Sequence, residues 1–107
     1  MEDKIINETG AVYRVNRRRG TTAVVTVLGR DQKGIIAKTS GALFECNVNV
    51  LDLSQTVLDD VFNMVMLVDI SDADFNEVQR RMSELGESMG QQIRIQRGEI
   101  FDAMHRV

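Results

Sequence analysis

Between Thr22 and Arg97 the spacing of apolar residues keeps changing, and the order of those changes restricts the fold more than any other feature of the chain. Thr22 to Leu28 alternates, with Ala23, Val25 and Val27 on one face and Val24, Thr26 and Leu28 on the other. That is strand spacing, and two rather apolar faces predict a central strand. From Gly34 to Asn47 the spacing becomes helical: Ile35, Ile36, Thr39, Ala42, Leu43 and Cys46 form one face, opposite Lys38 and Glu45. Gly41 weakens a helix by about 1 kcal/mol relative to Ala, and its simplest explanation is close approach of the helix to a sheet. Asn47 tolerates a left-handed conformation and is a natural stop.

Two strands follow, Val48 to Leu58 and Val61 to Ile70, joined at Asp59-Asp60. In the second, Phe62, Met64, Met66, Val68 and Ile70 point one way, and Val61, Val65 and Leu67 the other. Ser71 or Asp72 is placed to cap the next helix, with Asp74 and Glu77 in its first turns. Its stripe is Phe75, Val78, Met82, Leu85 and Met89, and Gly90 ends it. A Met stripe of this kind is core rather than a cofactor box. Gln91 to Arg97 alternates around Ile93 and Ile95 as a fourth strand. After Gly98, residues Ile100, Met104 and Val107 share a helical face, which predicts a short terminal helix docked on the body.

The order β-α-β-β-α-β predicts an α+β, ferredoxin-like fold. Its four-stranded antiparallel sheet carries two helices on one face, with the C-terminal helix added. The other sheet face is bare in a monomer, yet carries apolar residues from two strands. Exposed apolar patches of that kind mark interfaces, and a homodimer is the simplest cover.

Composition fits one soluble domain: 107 residues, 43% hydrophobic, 27% charged and 5% aromatic without Trp, so the core must be aliphatic and Met-filled. No apolar run reaches the roughly 20 residues that span a bilayer, and the polar start MEDKIINETG lacks the apolar stretch of a signal peptide. A single cysteine, Cys46, forms no internal disulfide and fits a buried thiol in a reducing, cytoplasmic setting. No CxxC and no His cluster supports a metal site, and no cofactor is implied. Residues 1–20 hold five Lys/Arg against three Asp/Glu, which leaves residues 21–107 with a net charge of −5. An acidic body argues against nucleic acid as a partner. Only Arg14, Arg17, Arg18 and Arg19 cluster, within a segment (residues 1–20) read as a flexible N-terminal extension. Tyr13 and Val15, which alternate with arginines there, also allow a short edge strand.

The loop Gly29–Gly34, GRDQKG, joins the first strand to the first helix. A helix start there offers free N–H groups at Gly34, Ile35 and Ile36, and these with the helix dipole favour a carboxylate or phosphate. The same residues also suit a plain turn, with Asp31 capping and the glycines turning. Other chemistries of this topology lack their residues. There is no glycine-rich phosphate cradle of the acylphosphatase kind and no Cys pair for metal carriage. The sheet lacks the aromatics of RNA-binding domains, and no nucleophile–base pair can be named, so an enzyme is not expected.

The stretch VTVLGRDQKGIIAKTSGALFECNVNVLDLSQTVLDDVFNMVMLVDIS resembles an ACT domain. It is most similar to small stand-alone ACT proteins related to the glycine cleavage repressor. The likeness rests on the strand followed by D-x-x-G-I, on NVNVLDLSQTVLDD and on the Met-rich strand, and continues through IRIQRGEIFDAMHRV, so that residues 21–107 form the ACT domain. The resemblance implies a regulatory domain that pairs and binds an amino acid at the pair's interface. By motif position the contacts are Asp31, Gly34 and Ile35, with Asn49 reaching across from the other subunit. A module that only dimerises, or that binds another protein without a ligand, is the alternative.

Overall fold

The computed structural model describes residues 22–97, together with the backbone of residues 3–6 and 12–15. Strands β1 (Asp3–Ile6) and β2 (Val12–Val15) pair antiparallel as a separate two-stranded sheet, in register from Asp3↔Val15 to Ile6↔Val12. The segment read as a flexible extension thus holds a short ladder. The terminal helix expected after Gly98 lies outside the described residues.

The main body runs β3 (Thr22–Arg30), α1 (Ile35–Glu45), β4 (Asn49–Leu58), β5 (Val61–Asp69), α2 (Phe75–Met89) and β6 (Gln91–Arg97). The sheet order is β4-β5-β3-β6 with every neighbour antiparallel. This is the ferredoxin-like arrangement, and β3 occupies the inner position that its two apolar faces predict. Ala23, Val25 and Val27 of β3 and Met64, Met66 and Val68 of β5 are fully buried beneath the helices. Burial of each large side chain among them stabilises the fold by about 1.5–3 kcal/mol. Helix α1 packs against β4, α2 packs against β6, and the two helices touch each other. Their outer sides are also joined by the Arg81–Glu45 ion pair.

The chain punctuation follows from particular residues. Asn47 adopts φ 62° and ends α1, with Val48 N–H donating back to the Leu43 carbonyl at 3.0 Å. Gly90 ends α2 at φ 68°. The α2 cap differs from expectation. Ser71 is engaged in a local turn, its N–H and hydroxyl both donating to Asp69 Oδ1 at 2.9 and 2.5 Å. The N-cap is therefore Asp74, whose carboxylate accepts from Asn76 N–H at 3.0 Å.

The glycine that lets a helix approach the sheet is not the one the sequence suggests. Among the described residues nothing lies within 4 Å of where a Cβ on Gly41 would sit, so it does not mark close approach of α1 to the sheet. Gly86 does that for α2: a Cβ there would lie 2.7 Å from the Gln91 carbonyl oxygen. Gly86→Ala is therefore expected to destabilise the fold by about 1–3 kcal/mol through overpacking against backbone. The urea midpoint should fall with an unchanged slope. An unaltered midpoint would mean that α2 can lift from β6 at no cost.

Candidate functional site

Strand β3 delivers the Asp31–Gly34 loop to the end of the sheet where β4 turns into β5. Register fixes this, because Arg30 lies opposite Val61. The loop is fastened on two sides. Asp31 N–H donates to the Asp60 carbonyl at 2.7 Å, and an exposed Arg30–Asp60 pair at 3.7 Å lies beside it. On the other side Gln91 Nε2 donates to the Arg30 carbonyl at 2.6 Å, and Gln32 Nε2 donates to the Met89 carbonyl at 2.7 Å.

Asp31 does not cap α1. The N-cap is Gly34 at φ 86° and ψ 5°, without a side-chain hydrogen bond, and the first turn holds no acidic residue. The first helical bond runs from Lys38 N–H to the Gly34 carbonyl at 2.9 Å. The N–H groups ahead of it belong to the start of α1, where a helix has no intrahelical acceptors to offer. Helix α2 is the contrast within the same chain. Its start is supplied by the Asp74 carboxylate and by Glu77 in the first turn. The positive end of the α1 dipole is left without a carboxylate of its own, which is the electrostatic setting for an external anion.

Of the residues singled out from sequence, Asp31, Gly34, Ile35 and Ile36 are brought together in and after this loop. Ile35 is buried at 2% exposure and anchors α1 to the core, so only its N–H can serve a ligand. Ile36 is 36% exposed and does not join the core face expected of it. Asn49 is not brought to the loop within one subunit. It begins β4, is exposed, and pairs with Asp69, which in turn lies opposite Thr22. The nine residues of β3 from Thr22 to Arg30 make eight steps and separate the two ends by about 26 Å at 3.3 Å per step. Gln91 and Gln32 are not signalled by any motif. The trace of Gln91 in the sequence is its parity, since it shares a strand face with the core residues Ile93 and Ile95. Among the described residues no group of three or more His, Cys, Asp or Glu could hold a metal ion, and no helix is long and apolar enough to cross a membrane.

The family model described as an ACT domain matches residues 21–96. The chain belongs to the ACT domain family. It is similar to a UPF0237 protein of Bifidobacterium longum, 48% identical over 79% of this chain and 97% of that protein. Among solved structures it resembles an ACT domain protein from Streptococcus pneumoniae, with TM-score 0.68 and 38% identity over 78% of this chain and 97% of the other. A putative glycine cleavage system transcriptional repressor shares the fold with TM-score 0.66 and 21% identity over 71% of this chain and 44% of that one. The family is typically regulatory and ligand-binding, and no catalytic activity is indicated for this member.

The left-handed Gly34 gives a direct test of the loop. Space is not the constraint, because a Cβ there would meet only Lys38 Cε at 3.7 Å. The backbone angle is. Gly34→Val should lower stability by about 1–2 kcal/mol, the scale of the left-handed penalty, whereas Gly34→Asn should lose less. Thermal melts of the two variants distinguish them, and equal losses would assign the effect to crowding instead.

Proposed function

We propose that the protein is a homodimeric regulatory module that binds an amino acid at the Asp31–Gly34 loop, with the second subunit completing the site. The observation that carries this reading is the uncapped start of α1 beside the carboxylate-capped start of α2. The N–H groups of Gly34, Ile35 and Ile36 take the ligand carboxylate. The Asp31 carboxylate and the partner subunit's Asn49 take its ammonium group.

The dimer we propose pairs the β4 edges antiparallel about a two-fold axis. Edge strands invite pairing unless guarded by charge or Pro. The β4 strand, NVLDLSQTVL, carries Asp52 as its one charge, and its Leu58 is 74% exposed. The opposite edge, β6, carries Arg94 and Arg97. In the helix layer next to β4, Ile36, Ser40 and Phe44 recur at four-residue spacing on the outer side of α1, with Ala37 and Gly41 between them. Phe44 is 79% exposed there. Such a strip is about 33 Å long and roughly 20 Å deep, or about 660 Å² per subunit. That is near the scale of a standard specific interface. Antiparallel pairing also sets the beginning of one β4 against the end of the other. The partner subunit's Asn49 then meets the Asp59-Asp60 turn, to which the loop is fastened through Asp31. The open sheet face suits pairing less, because Val65 and Leu28 there alternate with Asn63, Thr26 and Ser54.

The fold shared with a putative glycine cleavage repressor makes glycine the first probe. A thermal-shift screen of amino acids should raise the melting temperature for one of them, since a ligand of the folded state must stabilise it. Asn49→Ala should then abolish that shift while leaving the protein folded. Equal binding by both proteins would remove Asn49 from the site, and silence across the screen would favour a module that only pairs.

Gly41 tests the dimer separately. On an open helix face Gly41→Ala stabilises by about 1 kcal/mol. At a close α1 crossing it should instead weaken association, which light scattering across a dilution series would show. A wild-type protein that stays monomeric at every concentration would eliminate both the dimer and the shared site.

A further inference from the structure

The corner Met89–Gly90–Gln91, where α2 turns into β6, holds both glutamine clamps of the loop. Gln32 reaches back to the Met89 carbonyl on one side of Gly90, and Gln91 reaches up to the Arg30 carbonyl on the other, across 61 residues of sequence. Gln91 is only 7% exposed and occupies a position where strand parity calls for an apolar residue like Ile93 or Ile95. Its Oε1 is buried with no hydrogen-bond partner among the described residues. A buried acceptor left without a partner is unfavourable, and an apolar side chain of the same shape would avoid it. The side chain also requires a glycine opposite. A Cβ on Gly29, its ladder neighbour, would lie 2.3 Å from Oε1. Two unfavourable choices, an orphaned amide oxygen and a glycine inside a strand, are thus tolerated together. What they secure is one bond to the last carbonyl of β3.

We infer that Gln91 is a positioning residue for the ligand loop, seated on Gly29 and working with Gln32. The pair holds Arg30–Gly34 in the geometry that presents the first N–H groups of α1. The amino-acid reading above supplies only what the loop binds. The clamp itself is made within one subunit and ties the site to the α2–β6 corner, so a disturbance of that corner moves the site.

Amide hydrogen exchange on the ligand-free, full-length protein tests this independently of whether any amino acid binds. Gln91→Met keeps the shape while removing both the donor and the orphaned acceptor. Exchange at Asp31 and Lys38, the hydrogen-bonded amides on either side of the free N–H groups, should rise by about five- to tenfold, the scale of one lost hydrogen bond, while Val25 and Met64 stay protected and the urea midpoint holds. Gln32→Ala, at an exposed side chain, should loosen the same segment without touching the core, and serves alone if Gln91→Met fails to fold. Gly29→Ala, which displaces Gln91 from the opposite side, should reproduce the loosening. Unchanged loop exchange in Gln91→Met and Gln32→Ala would overturn the inference. So would a rise shared equally by Val25 and Met64, which would make Gln91 a core residue and nothing more.

Discussion

The pairing of β3 with β5 is the constraint from which the rest of the structure follows. Ala23, Val25 and Val27 lie opposite Val68, Met66 and Met64, and all six are fully buried. A slip of one residue would turn every one of these side chains to the open face, so the register is held by the whole apolar layer at once. The loop inherits its place from that register. With Val27 opposite Met64, Arg30 must lie opposite Val61, and Asp31 must meet the turn at Asp60. The position of the candidate site is therefore set by hydrophobic burial some distance away, and little of it depends on the loop's own side chains.

The two helices share one sheet face but are built differently. Helix α2 has a capping carboxylate, an acidic first turn, an Arg80–Glu84 pair one turn apart and a glycine that lets it sit tightly on β6. Helix α1 has no side-chain cap, no acidic first turn, and a glycine in its interior that no packing among the described residues requires. Its order comes from Ile35, Thr39, Ala42 and Leu43 on the core side and from the Asn47 stop. Local rules of helix stability are satisfied in α2 and left open in α1. Departures of this kind collect where a chain has a task other than folding. The bare helix start, the exposed Phe44 and the open β4 edge all lie on the α1–β4 half.

Element order, strand parity and the stops at Asn47 and Gly90 were legible in the sequence, because each depends on residues close together in the chain. What could not be read depends on pairs far apart. Helical period shows that Gly41 interrupts its helix, but which helix comes closest to the sheet is decided by tertiary packing, and there the glycine is Gly86. Ile36 falls within the apolar arc of α1, yet that arc is wider than the side of the helix that is buried. The cap moved from Ser71 to Asp74 because Asp69 competes for Ser71, a local contest that propensity does not resolve. Gln91 was visible as a break in strand parity, but its meaning needed Arg30 and Gly29 from another strand. The residues of the proposed site were nominated by motif spacing. Their arrangement was not, since Asn49 and Gly34 belong to opposite ends of one sheet.

That separation makes ligand binding and assembly one problem in the proposed dimer. A side chain about 26 Å away along the sheet cannot fold back to the loop in its own subunit, whose strands are fixed by a buried layer. Completion of the site must come from a second subunit or not occur at all. A ligand held by both subunits binds the pair more tightly than the single chain, and by linkage the pair is tightened by the same factor. No change of fold is then needed for regulation. The ligand alters the population of dimers, and with it whatever surface only the dimer presents. The Gln32 and Gln91 clamps fit this scheme, because a loop already held in place loses less freedom when the ligand arrives. More of the interaction energy is left for joining the two subunits.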